Sequence, residues 1–245
     1  MKVLVLGATG ATGRHVVKTL LQQQHQVIAL VRHTDTLNRL NVEFNDQLRQ
    51  IKGTALSLSD NQLSELIVEV DGVISCLGHN LTLKGLYSAP RMMVRDSIKR
   101  VVKLASVQRN TPLKVVLMNS SGVRNKDQHE PISIPQHFVL ALLRVLLPPH
   151  RDNEQAANYL RTLKTSNTGS IKSKIQWVVV RPDTLIDEDK VSEYSLYPTP
   201  IRSAIFNSGK VSRINVAAVI CTLLTDSTLW ETWKGKMPLI YNKLG

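Results

Sequence analysis

Apolar residues along this chain come in short blocks whose period keeps switching. Lys2-Val3-Leu4-Val5-Leu6 reads as a buried strand, and Val16, Val17, Leu20 and Leu21 then recur on one face of a helix over 11–23. Val27-Ile28-Ala29-Leu30-Val31 restores the strand pattern within 26–31, followed by a weaker strand at 48–52 and a helix at 60–69. Gly72-Val73-Ile74-Ser75-Cys76 is a fourth strand. A helix at 90–108, the strand Lys114-Val115-Val116-Leu117-Met118 and helices near 136–147 and 151–165 come next. The polar stretch 166–174 reads as an exposed connection into a strand at 175–181, and Ser212-Arg213-Ile214-Asn215-Val216-Ala217 opens a late helix. Strands that alternate with helices in this way predict an α/β fold with a doubly wound parallel sheet, and no internal repeat interrupts the order.

A length of 245 residues with 42% hydrophobic content supports one substantial core, so 1–245 is expected to be a single domain. The Pro-containing, irregular segments 124–150 and 185–212 are expected to form a small substrate-side region. The two cysteines, Cys76 and Cys221, are far apart and read as small buried hydrophobes, which excludes a disulfide scaffold and leaves no metal site. No apolar run approaches the roughly 20 residues of a membrane span, and a strand starting at Lys2 leaves no room for a cleavable leader. A cytoplasmic location is the expectation. The net charge of +12 asks for a negative partner. Arg91, Arg95, Lys99 and Lys103 recur four apart opposite Val94, Ile98, Val101, Val102 and Ala105, which is the pattern of a solvated helix face. With aromatics at 4%, the stacking residues of a nucleic-acid binder are lacking.

The strongest chemical signal follows the first strand. Gly7-Ala8-Thr9-Gly10-Ala11-Thr12-Gly13 is a GxxGxxG turn between a strand and a helix, where free N–H groups meet a diphosphate and a Cβ would block its approach. Thr9 and Thr12 either donate hydroxyls to phosphate or ribose, or cap the helix. In a doubly wound sheet ligands bind beyond the carboxyl ends of the strands. Candidate positions are therefore Gly7 to Gly13, Arg32-His33, Gly53-Thr54-Ala55, Cys76-Leu77-Gly78-His79-Asn80, Asn119-Ser120-Ser121-Gly122 and Pro182-Asp183-Thr184. An NAD-preferring site would carry a carboxylate near the end of the second strand. Arg32 stands there instead, its planar fork suited to a 2′-phosphate with His33 as a second donor, which favours NADP(H) over NAD(H).

In the order and spacing of these segments, together with Asp71-Gly72-Val73-Ile74-Ser75 and Val180-Arg181-Pro182, the chain resembles the atypical short-chain dehydrogenase/reductases. Within that group it is similar to NAD(P)H-binding proteins related to biliverdin reductase B (flavin reductase) and to NmrA-like redox sensors. The resemblance implies a Rossmann-type domain with Gly7, Thr9, Gly10, Ala11, Thr12, Gly13, Arg32, His33, Thr54, Cys76, Leu77, Gly78, Asn119 and Pro182 around the coenzyme. Relatives often place an Asp after the third strand, where this chain reads Lys52-Gly53-Thr54-Ala55, and Thr54 replaces it only in part. None of the five tyrosines is followed four residues later by Lys, so the Tyr-x-x-x-Lys acid/base pair of ordinary short-chain enzymes is missing. Hydride transfer to a conjugated acceptor protonated by solvent does not need it.

Ser120 and Ser121 stand where such enzymes keep a substrate-orienting serine, and they are the catalytic candidates. His79, His129, His137 and His150 are possible proton donors or merely solvated loop residues. Asn153 occupies roughly the place of a site histidine in relatives, and Asp152 and Glu154 read as surface carboxylates at a helix start. The apolar run 138–147, ended by Pro148-Pro149, reads as a buried helix, an apolar wall or lid, or a subunit contact. The expected activity is reduction of a flavin, quinone or similar conjugated small molecule by NADP(H). The alternative is a noncatalytic NADP(H)-binding sensor or scaffold acting on a protein partner, with a homodimer also open.

Overall fold

Strand β1 (Lys2–Leu6) is buried on both sides, and its side-chain alternation divides the core in two. Leu4 and Leu6 pack with Leu63, Ile67, Ile98 and Leu160 on one face, while Val3 and Val5 pack with Val16, Leu20, Val216 and Ile220 on the other. The computed structural model describes residues 1–34, 36–39, 46–79, 91–130, 133–163 and 174–243. In chain order its elements are β1, α1 (Gly13–Gln22), β2 (Gln26–Val31), α2 (Thr36–Arg39), β3 (Leu48–Lys52), α3 (Asp60–Glu69) and β4 (Gly72–Ser75). There follow α4 (Met93–Gln108), β5 (Leu113–Met118), α5 (Ile134–Leu146), α6 (Pro148–Leu163), β6 (Ile175–Pro182), β7 (Thr184–Ile186) and β8 (Tyr194–Tyr197). The chain continues through β9 (Lys210–Ser212), α7 (Arg213–Thr225), α8 (Ser227–Trp233) and β10 (Leu239–Asn242).

The main sheet has the order β3-β2-β1-β4-β5-β6-β10-β8, parallel throughout except for β8, which runs antiparallel to β10. Val5 sits between Ala29 of β2 and Ile74 of β4, so winding reverses direction at β1. This is the Rossmann-type doubly wound architecture expected from the alternation, and its crevice opens beyond the carboxyl ends of β1 and β4. β7 and β9 pair separately as a short parallel ribbon.

Local chemistry fixes the helix ends. Ser59 and Gln62 form a reciprocal capping box at α3, while Ser133, Ser212 and Asp226 accept the first free N–H groups of α5, α7 and α8, each worth about 1 kcal/mol. At the far end of α3 the buried Arg109 guanidinium donates to the carbonyls of Ile67 and Val70 at 2.6 and 2.7 Å. Pro148 opens α6 rather than only ending α5, since its missing N–H is an orphan in the first turn anyway. The strands β7, β8, β9 and β10 were not predicted. Each is three or four residues long and lacks a clear period. The expected connection at 166–174 lies outside the described residues except for Lys174, as do Asn80 and the start of the 90–108 helix.

Three expectations are corrected. Asp152 is fully buried rather than a surface carboxylate, and Glu154 is largely buried in a two-point ion pair with Arg144 at 2.7 Å. The 138–147 run is not a buried helix, because Phe138, Leu142 and Leu146 are exposed, while Leu140 is buried. Arg91, just before α4, and Lys99 and Lys103 on it are solvated as expected, but Arg95 is half-buried and bonded to Asp96 and Gln155.

Candidate functional site

The glycine turn shows a division of labour. Gly7 holds φ at +76°, and a Cβ there would lie 2.7 Å from the Cys76 carbonyl oxygen, so β1 and the end of β4 can only meet across a glycine. A Cβ on Gly13 would lie 2.0 Å from the Gly7 oxygen, which makes Gly13 the residue that lets α1 pack onto the turn. Gly10 is exposed, and its Cβ would approach the Gly7 oxygen to 3.2 Å, a contact that small movements relieve. Gly7 and Gly13 thus serve the protein's own packing, while Gly10 keeps the outer face open for a ligand.

Thr12 stands at the cap position of α1, but its side chain makes no capping hydrogen bond, in contrast to Ser59, Ser133 and Ser212 on other helices. The first turn of α1 carries no acidic residue either. A helix start of this kind, facing a crevice beside a side-chain-free glycine, suits an anionic diphosphate. Ala8 and Thr12 are buried and Thr9 is half-buried, while Ala11 faces outward next to Gly10.

Around this turn the strand ends deliver the other candidates. Arg32 and His33 leave the end of β2 and are exposed. Thr54 closes its own turn: its hydroxyl accepts from Ser57 N at 3.0 Å, and Ser57 Oγ accepts from Thr54 N at 2.9 Å. Cys76 backs onto Gly7, and burial pushes its thiol up to about 12, so it stays protonated. Leu77 and Gly78 continue from there along the crevice; a Cβ on Gly78 would meet nothing within 4 Å.

The next residue is tied down by a contact that sequence reasoning missed. His79 donates from Nε2 to Asp152 Oδ2 at 2.8 Å, and because an ionised carboxylate is only an acceptor, that nitrogen carries the hydrogen. The same carboxylate accepts from Val94 N at 2.9 Å and Arg95 N at 2.8 Å, capping α4, whose own cap residue, Met92, supplies none. Asp152 therefore joins the β4 loop, the start of α4 and the start of α6. The spacing of 73 residues to His79 left no signal in the sequence.

At the end of β5, Asn119 is buried and donates from Nδ2 to the Asn153 carbonyl at 2.9 Å, while its Oδ1 has no partner. Such an orphaned acceptor is what a bound group or ordered water satisfies. Ser120 Oγ accepts from Gly122 N at 3.2 Å. His150 stands beside it: a Cβ on Gly122 would lie 3.6 Å from His150 Cε1 and 3.7 Å from Ser120 Oγ. Burial lowers the His150 pKa, with Glu154 opposing the shift and Arg144 adding to it, so the ring is neutral near pH 7. Of the other histidines, His79 belongs to the Asp152 clasp, and His129 and His137 are exposed.

Ser121 donates to Asp183 Oδ1 at 3.1 Å, and Asp183 also accepts from Thr184 N at 2.9 Å and Gly209 N at 2.8 Å. Burial raises the Asp183 pKa, with those three donors and Arg202 opposing it. Pro182, immediately before it, ends β6 beside β10.

Beyond Ser121 and Gly122 opens a cavity of about 300 Å³, lined further by Gln136 and Leu140 of α5 and by Ile201 and Ser203. The segments expected on the substrate side, 124–150 and 185–212, supply most of this lining. Its base is held by a buried ion pair: Arg181, at 0% exposure, donates to both Glu130 oxygens at 3.1 and 2.7 Å and to the Met237 and Val123 carbonyls. Glu130 in turn accepts from Asn125 N at 2.8 Å, so both charges are fully bonded, as burial of a charge requires.

A family model described as NAD(P)H-binding matches residues 7–227. The chain belongs to this NAD(P)H-binding family. Among solved structures, a wide-type short-chain dehydrogenase/reductase from Veillonella parvula in complex with NADP is 18% identical, with a TM-score of 0.69 over 98% of this chain and 94% of that one. A candidate NADH-flavin reductase from Streptococcus pneumoniae is 19% identical, with a TM-score of 0.66 over 99% and 100% of the two chains. ChuY, an anaerobilin reductase from Escherichia coli, is 18% identical, with a TM-score of 0.67 over 100% and 99%. At these identities the likeness is one of fold. No curated protein matches significantly. The match begins at Gly7, the first glycine of the turn. Among the described residues no group of His, Cys, Asp or Glu is arranged to hold a metal ion, and no helix is long and apolar enough to cross a membrane.

Proposed function

We propose that this family member is an NADP(H)-dependent reductase that passes hydride to a flavin, a quinone or a similar conjugated acceptor. The observation that carries the reading is the cavity beyond Ser121, which opens just past the carboxyl end of β5 and mixes polar Ser121, Gln136 and Ser203 with apolar Leu140, Ile201 and Leu239. Its volume of about 300 Å³ lies at the low end for small-molecule sites, which suits a flat ring system presented edge-on or in part. When bound, the coenzyme supplies the hydride.

The chain's own residues then have defined tasks. Gly7, Gly10 and Gly13 let the backbone approach the diphosphate, and the Arg32 guanidinium, assisted by His33, meets the 2′-phosphate. Thr9, Ala11, Thr12, Thr54, Cys76, Leu77, Gly78, Asn119 and Pro182 line the remainder of the coenzyme path. Ser121, its hydroxyl hydrogen held by Asp183, offers lone pairs to the acceptor, and Ser120 and neutral His150 shape the adjoining wall. Without the Tyr-x-x-x-Lys pair the chain positions reactants and leaves the final protonation to solvent. A reductase drawing on NADPH also fits a cytoplasmic location.

The test is loss of NADPH absorbance against a free flavin, a short-chain quinone, a bilin and a simple ketone. Turnover with at least one of the first three and none with the ketone is expected; coenzyme binding without oxidation by any of them overturns the reductase assignment. For the coenzyme, Arg32→Ala is expected to weaken NADPH roughly tenfold and leave NADH unchanged, the loss of an exposed charge-assisted contact. An unchanged NADPH/NADH ratio removes Arg32 from the phosphate site.

A further inference from the structure

Helix α5 presents an apolar stripe to solvent. Ile134 is 76% exposed, Phe138 70%, Leu142 56% and Leu146 51%, and they recur every four residues along one side of the helix. The neighbouring Phe206 is 60% exposed, and its backbone N–H donates to Ser203, which bonds Gln136 on the inner side of the same helix. Isolated exposed apolar residues are ordinary, but a row of four large ones beside an exposed phenylalanine marks a docking surface.

The surrounding charge identifies what docks. No Asp or Glu occurs between Ile134 and Leu146, and on either side Lys126 and Arg151 are exposed. The flanking carboxylates are already occupied: Asp127 pairs with Arg161, Glu130 with Arg181 and Glu154 with Arg144. The whole chain carries +12, so two copies meeting face to face would repel, whereas an anionic surface would be attracted. An amphipathic helix with an apolar stripe, basic surroundings and too short a length to span fits the plane of a lipid interface.

We propose that α5 docks this protein on an anionic lipid bilayer, inserting Ile134, Phe138, Leu142 and Leu146 among the acyl chains while the basic flanks meet the headgroups. Gln136 and Leu140, on the opposite side of the helix, remain turned to the cavity. The inference does not depend on the reductase reading, because it concerns the outer face of α5 alone.

The test is co-sedimentation of the full chain with vesicles of phosphatidylcholine alone and of phosphatidylcholine with phosphatidylglycerol, for wild type and for the double variant Phe138→Glu/Leu142→Glu. Wild type is expected to bind the anionic vesicles at least tenfold more tightly than the neutral ones, and more weakly as salt is raised. The variant should lose at least tenfold on anionic vesicles while keeping its melting temperature and its coenzyme affinity, since both positions face solvent. Three outcomes overturn the proposal: no binding to anionic vesicles, equal binding by both proteins, or a wild-type dimer in sedimentation equilibrium that the double variant converts to monomer. The last would assign the stripe to a second copy of the chain.

Discussion

Replacing Asp152 by Ala deletes the acceptor of three hydrogen bonds at 2.8–2.9 Å, from His79 Nε2, Val94 N and Arg95 N. Two are the first free amides of α4, and losing a helix cap costs about 1 kcal/mol. Val94 N is buried, so it adds the larger cost of an orphaned donor, and the His79 ring loses its partner in a nearly closed site, each about 1–3 kcal/mol. The sum is roughly 3–7 kcal/mol against a total stability of about 5–15 for a domain. Asp152→Asn keeps one acceptor oxygen, and its amide nitrogen must face a former donor, so about half that loss is expected. Urea unfolding at fixed pH reads both variants through the shift of midpoint at constant slope. A double-mutant cycle with His79→Ala should give a coupling of about 1 kcal/mol or more. Leu77, Gly78 and His79 follow β4 on the path proposed for the coenzyme, so folded Asp152→Asn should also bind the coenzyme more weakly. If Asp152→Ala shifts stability by less than ~0.5 kcal/mol, or if the two variants are equal, the clasp described here is not what holds the β4 loop.

The second and third glycines of the turn should separate fold from function. Gly13→Ala places a methyl 2.0 Å from a backbone oxygen and is expected to lower the melting temperature sharply, whereas Gly10→Ala, at 3.2 Å, should melt near wild type and lose coenzyme binding by calorimetry. The reverse order would refute the assignment of roles. His150, held neutral by burial, contributes stability that is complete above its unfolded value of 6.5 and drains away as the pH falls below it. His150→Gln should therefore flatten the stability profile between about pH 7 and 5, measured by urea midpoints, and an unchanged acid slope would show that the ring is solvated. Asp183 has the opposite sign: its raised pKa means that its contribution is present below the unfolded value of 3.8 and falls as the pH rises through the raised one. Asp183→Asn should remove that segment of the profile, and its persistence would assign it to another carboxyl group.

What was legible in the sequence follows from period and length. β1, β2, β4, β5 and β6 are near-continuous apolar runs because helices cover both faces of a parallel sheet, and the glycines announce the turn by composition alone. β10 and β8 escaped because four residues carry no period, and their places are set by long-range pairing, of β10 with β6 across more than fifty residues and of β8 with β10 across more than forty. Asp152 was misread for a related reason. At a helix start a carboxylate ordinarily serves its own helix, and only the approach of α4 and the β4 loop turns it inward. The α5 run failed in the opposite sense, since apolar composition predicts burial but does not say whether a partner face exists within the chain.

β10 has a consequence for biogenesis. Leu239 lines the cavity, and Tyr241 packs where a Cβ on Gly209 would come within 2.6 Å of its ring. This strand leaves the ribosome after every other strand of the sheet. A nascent polypeptide can therefore pair β1 to β6 during translation while the far edge of the sheet is still unwritten. Premature termination between α8 and β10 would yield a product that keeps the glycine turn and most of the cavity lining yet lacks Leu239 and the strand that joins β8 to β6.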